Sequence, residues 1–180
     1  LDANCLIHPM CFKILAENKN FTNKDNLEKK MIQQVLLYID YLIDFIKPKV
    51  GVYLAIDGVA PIAKIKQQRS RRFKSVSDRN LWNNIKKKHK QEISNFWNNS
   101  AITPGTKFME KLSNSILQWA DTKSIQIIYS SSNTPSEGEH KLLQFIRSRQ
   151  KNKIINTYVI YGLDADLIFL ALSTNCKNMF

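Results

Sequence analysis

Residues 50–58 read Val-Gly-Val-Tyr-Leu-Ala-Ile-Asp-Gly, a short apolar run that ends in an acid and a glycine. An apolar run of this length, partly β-branched, is typical of a buried β-strand. Similar runs follow at Ile125–Ser130 and Ile155–Tyr161, with amphipathic segments between them. Strands that alternate with helices form parallel sheets. We therefore expect an α/β fold, with a mostly parallel sheet flanked by helices, in a single domain over residues 1–180.

The predicted helices follow from the spacing of apolar residues and from signals at helix ends. Thr22, with Asp25 three residues later, is expected to cap a long helix that ends before Pro48. Its expected buried stripe is Leu27, Met31, Val35, Tyr38, Leu42 and Phe45. Residues 63–98 are polar, basic and weakly helical in pattern. Further helices are expected at residues 5–20, 107–119, 139–148 and 165–172.

Acidic residues are scarce in this chain, yet they recur where the predicted strands end. The sequence has 15 Asp and Glu against 27 Lys and Arg, for a formal net charge of +12. Ligands of open α/β sheets bind at the C-terminal edge of the strands. Carboxylates gathered there repel one another, and a divalent cation with hard oxygen ligands, such as Mg²⁺, relieves the repulsion. The candidate catalytic and metal-binding acids are Asp2, Asp57, Glu137, Glu139, Asp164 and Asp166.

Each acidic motif also has an ordinary structural interpretation. Asp164 fits an N-cap of the helix that follows, and Glu137 and Glu139 fit favourable charges at a helix N-terminus. Asp57, followed by glycine, fits a turn after a strand. The joint occurrence of acids at four predicted strand ends favours a metal site. Two ions held there can activate a water molecule and stabilise the leaving oxygen of a phosphodiester.

The positive charge is concentrated after Asp57. Between residues 64 and 90 there are eleven Lys or Arg and a single acid. On a helix, one stripe of this segment would contain Lys64, Gln68, Arg71 and Arg72. A point charge, an amide and two bidentate guanidinium groups suit a phosphate, so we expect a nucleic-acid partner. A solvated surface helix is the alternative, and it stays open for Lys86–Lys90.

Composition argues against several other classes of protein. The longest apolar runs are strand-sized, far short of the roughly 20 residues that span a bilayer. Residues 64–80 lack the apolar face of a membrane-surface helix, so no membrane partner is expected. The three cysteines contain no Cys-x-x-Cys pair and the three histidines no His-x-x-x-His pair. A disulfide scaffold and a conventional zinc site are therefore disfavoured.

Several longer blocks point to one family. They are Asp2-Ala-Asn-Cys-Leu-Ile-His8, Ala55-Ile-Asp-Gly-Val-Ala-Pro61, Gln67-Gln-Arg-Ser-Arg-Arg-Phe73, Ile102-Thr-Pro-Gly-Thr-Lys-Phe-Met109, Glu137-Gly-Glu-His-Lys141 and Tyr161-Gly-Leu-Asp-Ala-Asp-Leu167. In sequence and in order these blocks resemble the Xrn-type 5′→3′ exoribonucleases, specifically their conserved N-terminal nuclease region. The resemblance covers nearly the whole chain.

The resemblance implies a PIN/FEN-like nuclease core with a long basic helix. The six acids would hold Mg²⁺ or Mn²⁺, two ions in all. Lys64, Gln68, Arg71 and Arg72 would bind the 5′-monophosphate of single-stranded RNA. His8 would stack on the first base, as aromatic rings do in single-strand binding. From the residues alone, a core or helix-end role fits His8 as well.

The sequence departs from the family pattern at two positions, and it ends before the family's nuclease region does. Ser136 stands where the family usually has Gly, and Ile62 replaces a usual Arg after Pro61. The family's nuclease region continues past Phe180 with at least one further metal-binding acid and an aromatic partner for the base. We therefore expect this chain to be a partial N-terminal nuclease region, trimmed at both ends.

The expected activity is hydrolysis of 5′-monophosphorylated single-stranded RNA to mononucleotides in RNA decay, in the cytoplasm or alternatively the nucleus. A flap-type or PIN-like DNA nuclease is one rival, but the block at residues 67–73 has no obvious role there. An inactive module that binds RNA 5′ ends is the other rival. The presence of all six acids argues against it.

Overall fold

The computed structural model describes residues 1–91, 97–153 and 156–180. Within these ranges helices and strands form the α/β fold that the sequence predicts. The helices are α1 (Asn4–Glu17), α2 (Lys24–Ile46), α3 (Ile62–Lys88), α4 (Lys107–Asp121), α5 (Gly138–Lys151) and α6 (Asp166–Ser173), with a short 3₁₀ turn at Asn99–Ala101. The strands are β1 (Gly51–Ala55) and β2 (Gln126–Ser130).

The sheet is parallel, and its C-terminal edge is where the acids were expected. Strand β1 pairs with β2 in a register that places Ala55 opposite Ser130. On the other side of β1, Asp2 forms an isolated parallel bridge with Ala55. The Asp2 N–H donates to the carbonyl of Tyr161 at 2.9 Å. Asp2 therefore lies between the end of β1 and Tyr161.

The predicted third strand, Ile155–Tyr161, is wrong as a strand in the part that the structure describes; Ile155 itself lies outside the described residues. Tyr158 forms only an isolated bridge, with Met179. Its N–H donates to the carbonyl of Asn178 at 2.9 Å. Residues 158–160 pair with residues 178–180, and Asp2 lies between Tyr161 and the end of β1.

Helix α2 corrects two details of the prediction. Its N-cap is Asn23, not Thr22, because the Asn23 side chain accepts the Asn26 N–H at 3.1 Å. Phe45 is 75% exposed, so the predicted stripe is wrong at its C-terminal end. The core positions of this helix include Leu27, Met31, Val35, Ile39 and Leu42, and Tyr38 is half-buried.

Helix α3 confirms the predicted basic helix and gives its first and last residues. It runs from Ile62 to Lys88, and none of its residues is buried. The predicted helical pattern up to residue 98 ends earlier, and residues 92–96 lie outside the described residues. A helix without a buried face presents most of its side chains to solvent.

One main hydrophobic core packs against the sheet. It joins α1, α2 and α4 to β1 through residues such as Leu6, Met31, Leu54 and Leu112. Trp97 packs edge-on against Phe108, with ring centroids 5.3 Å apart. The core thus fixes the strands whose C-terminal ends carry the acids.

Among the described residues, no helix is long and apolar enough to cross a membrane.

Candidate active site

Two aspartates from different strand ends converge on the start of α5. Asp57 lies two residues past β1, and its Oδ1 accepts the Gly138 N–H at 2.6 Å. A Cβ atom at Gly138 would lie 2.7 Å from Asp2 Oδ1 and 3.2 Å from Asp57 Oδ1. Both carboxylates therefore face one small space that only a glycine leaves open.

The turn into α5 carries a second acidic group, which does not include Asp2 or Asp57, although the charge of Glu139 reaches Asp2. One oxygen of Glu137, one oxygen of Glu139 and one ring nitrogen of His140 lie within 4.8 Å of one another. His140 Nδ1 is 3.5 Å from Glu139 Oε1, although its imidazole is half-exposed. The i, i+2 spacing of the two glutamates places both at the helix entrance, where the helix dipole favours negative charge.

Burial and mutual repulsion perturb the acids. Burial, followed by the charge of Asp57, raises the pKa of Asp2 to about 6 from 3.8. Burial also raises the pKa of Glu139, with contributions from Glu137 and Asp164. Carboxylates that repel one another in a partly buried space form a site that a divalent cation would stabilise. The donor set of hard oxygens fits such an ion.

The pair after residue 161 is less closely joined to the other acids. Asp164 and Asp166 are both exposed. Asp164 Oδ1 accepts the Asp166 N–H at 3.1 Å, but the N-cap of α6 is Ala165, so the alternative interpretation of Asp164 as the N-cap is wrong. Asp164 still contributes to the raised pKa of Glu139, so its charge lies near the cluster. Asp166, at the first position of α6, lies outside the Glu137–Glu139–His140 group.

The basic stripe reaches the acids through one residue. Lys64 Nζ lies 3.2 Å from Glu137 Oε1. The hydrogen bond to Glu137 is the main cause that raises the pKa of Lys64, whereas burial and, after it, the Arg71 charge oppose the shift. Gln68 is half-buried on the same helix, and Arg71 and Arg72 are exposed. Acidic and basic side chains are thus in contact at the N-terminal end of α3.

His8 lies on α1 at the border of the acidic space. Its imidazole is half-buried and stacks on Phe12, with ring centroids 6.4 Å apart and an interplanar angle of 24°. Burial lowers the pKa of His8, and the negative charge of Asp57 opposes that shift. The structure places an aromatic pair beside the acids, and Phe12 is a partner that the sequence interpretation did not name.

The sequence interpretation also missed the backbone and buried groups that hold the acids. Ser136, which replaces a usual glycine, has a φ of 96°. In that region a residue with a Cβ atom is strained. Lys141 is 3% exposed and donates to two strand-end carbonyls. A lysine among the apolar residues of α5 was the available signal for its burial.

A parallel α/β sheet with an acidic C-terminal edge and an adjoining basic helix defines a PIN-like nuclease core. The chain belongs to the family described as the XRN 5′-3′ exonuclease N-terminus, whose sequence profile matches residues 1–180. This membership confirms the resemblance that the motifs indicated.

Similar curated proteins agree with the family. The chain is 37% identical over 199 residues to 5′-3′ exoribonuclease 2 of Kluyveromyces lactis, covering 97% of the chain and 20% of that protein. It is 38% identical over 194 residues to 5′-3′ exoribonuclease 1 of Saccharomyces cerevisiae, covering 97% of the chain and 12% of that protein. The chain therefore spans a fifth or less of the length of these relatives.

Proposed function

We propose that the protein is a 5′→3′ exoribonuclease that hydrolyses 5′-monophosphorylated single-stranded RNA to mononucleotides with two divalent ions. Its family and the names of its relatives support this activity. The observation that carries the proposal is the contact of Lys64 with Glu137 at 3.2 Å. This contact joins a cation-binding set of acids directly to a phosphate-binding stripe.

The metal ligands in this proposal are Asp2, Asp57, Glu137, Glu139, Asp164 and Asp166. The space beside Gly138, bounded by Asp2 Oδ1 and Asp57 Oδ1, supports the fit of a cation because a side chain there would fill it. Bound Mg²⁺ or Mn²⁺ would supply an activated water and stabilise the leaving oxygen. The protein's own part is to hold the carboxylates together against their repulsion.

The 5′-phosphate site in this proposal is Lys64, Gln68, Arg71 and Arg72. They share one face of α3, and eight residues of helix span about 12 Å. With the 5′-phosphate bound there, the first phosphodiester would lie over the acids, since Lys64 touches Glu137. His8 would stack on the first base. Removal of one nucleotide would leave a new 5′-phosphate, which permits the next cycle.

The phosphate site is tested by Arg71→Ala. A hydrogen bond between charged groups contributes about 1.5–3 kcal/mol, so the ratio of rates on 5′-phosphate and 5′-hydroxyl RNA should fall roughly 10- to 150-fold. Lys66→Ala is the matched control, because Lys66 is two residues from both Lys64 and Gln68 and therefore lies on the opposite face of α3. Equal ratios in wild type and Arg71→Ala would contradict the site.

The same assay separates the rival activities. Faster cleavage of flapped DNA than of 5′-phosphorylated single-stranded RNA would favour a flap-type or PIN-like DNA nuclease. Tight binding of 5′-phosphorylated RNA without Mg²⁺-dependent release of mononucleotides would favour an inactive 5′-end-binding module.

A further inference from the structure

Lys141 is a buried cation to which the proposed function gives no task. It is 3% exposed, and its neighbours on α5, Leu142 and Leu143, are buried with it. Its Nζ donates to the carbonyl of Ile56 at 2.6 Å and to the carbonyl of Ser131 at 2.8 Å. These two carbonyls follow directly after the ends of β1 and β2. Lys141 therefore joins the two strands at the edge that carries the acids.

Such a lysine is costly, so its presence calls for a reason. Removing an ammonium group from water costs several kcal/mol, and an apolar side chain of similar volume often packs there at no loss of stability. Burial lowers the pKa of Lys141, and Asp57 is the acid whose charge opposes the shift. Asp57 is also the residue immediately after Ile56, the first of the two acceptors.

The first turn of α5 holds this acid from two directions. The Gly138 N–H donates to Asp57 Oδ1 at 2.6 Å. Three residues on, the Lys141 ammonium donates to the carbonyl of Ile56 at 2.6 Å. Side chain and preceding peptide are thus both fixed to one helical turn. The same turn contains Glu139 and directly follows Glu137, so the geometry of three acids depends on it.

We propose that Lys141 is a positioning residue, which holds Asp57 in register with the α5 acids and thereby sets the cation affinity of the site. The inference rests on the proposed metal site. A positioning role and a simple charge effect of Lys141 predict opposite changes in cation affinity when the lysine is replaced. Removing a positive charge near carboxylates would by itself tighten cation binding, whereas releasing Asp57 from its fixed position weakens it.

The test is Mn²⁺ binding to the protein by isothermal titration calorimetry, with urea unfolding measured in parallel. Lys141→Met removes the donors at similar volume, and loss of such a supporting contact typically weakens metal binding 10- to 100-fold. Lys141→Gln removes the charge, and its side chain, one bond shorter, does not reach both carbonyls, so it carries the test if the Met variant does not fold. We expect the Gln variant to bind Mn²⁺ more weakly than wild type.

The matched control is Glu28→Gln. Glu28 is also buried, 4% exposed, and contacts Lys111 and Trp97, away from the acids. The Glu28→Gln substitution should lower the free energy of unfolding without changing Mn²⁺ affinity. Unchanged or tighter Mn²⁺ binding in the Lys141 variants would overturn the inference and leave the proposed function standing. A wild-type protein that binds no Mn²⁺ would overturn both the inference about Lys141 and the proposed function.

Discussion

The substitution Asp2→Asn should reveal the repulsion within the acidic cluster. In the folded protein, burial and Asp57 raise the pKa of Asp2 to about 6, against 3.8 for an unperturbed aspartate. In the unfolded chain the group ionises near the lower value. The metal-free folded protein therefore loses stability as the pH rises from about 4 through 6, because the folded state resists ionisation. Above that window the loss is complete.

The size of this effect follows from the two pKa values. Each pKa unit corresponds to 1.36 kcal/mol, so the ionised Asp2 destabilises the metal-free protein by at most about 3 kcal/mol at pH 7.5. Asparagine stays neutral at every pH and keeps the oxygen that accepts the Asn4 N–H. Relative to wild type, the free energy of unfolding of Asp2→Asn should therefore be about 2.5 kcal/mol larger at pH 7.5 than at pH 4, since the unfolded-state aspartate is already partly ionised at pH 4.

Urea unfolding in EDTA at several pH values measures this difference. Asp121→Asn, which changes an exposed acid at the end of α4, should show no such dependence. Addition of Mg²⁺ at pH 7.5 should stabilise the wild type more than Asp2→Asn, because the ion offsets a repulsion that the variant lacks. A relative stability that does not change with pH would refute the reasoning.

Two further predictions concern neighbouring groups. Ser136→Gly should raise the free energy of unfolding by about 1 kcal/mol, since it removes the strain of a φ of 96°; urea unfolding that shows no gain would contradict this. Lys64 contacts Glu137, so Mg²⁺ should strengthen binding of a 5′-mononucleotide, which has no phosphodiester to hydrolyse, by freeing Lys64. Calorimetry should find a coupling of roughly 5- to 150-fold in wild type and less in Lys64→Met; equal coupling would refute it.

Local pattern and topology were enough to predict the position of Asp57, but Asp164 and Asp166 follow a segment whose described residues form no strand. Asp57 follows an apolar run that forms β1, and parallel strands bring their C-terminal ends to one edge. The seven positions between Asp57 and Lys64 were enough to expect the basic helix near the acids, whereas the contact of Lys64 with Glu137, 73 positions away, was not predicted. The basic stripe followed from helical spacing alone.

The remaining features depend on partners that periodicity does not identify. Tyr158 pairs with Met179 instead of β1, which no local pattern distinguishes from a sheet strand. Thr22 and Asn23 are both capping residues, and only the backbone geometry selects Asn23. Lys141 reads as a surface charge until its two carbonyl acceptors are seen. These contacts are decided by tertiary packing.

The most direct test of the proposed nuclease is the release of 5′-mononucleotides from 5′-phosphorylated single-stranded RNA, with Asp57→Ala as the decisive variant. Asp57 contacts the start of α5 and faces the same space as Asp2, so its loss should remove metal ligation at the centre of the site. Wild type should release mononucleotides in Mg²⁺ and stop in EDTA, whereas Asp57→Ala should bind RNA without releasing them. Mg²⁺-dependent release by Asp57→Ala at the wild-type rate would contradict the account.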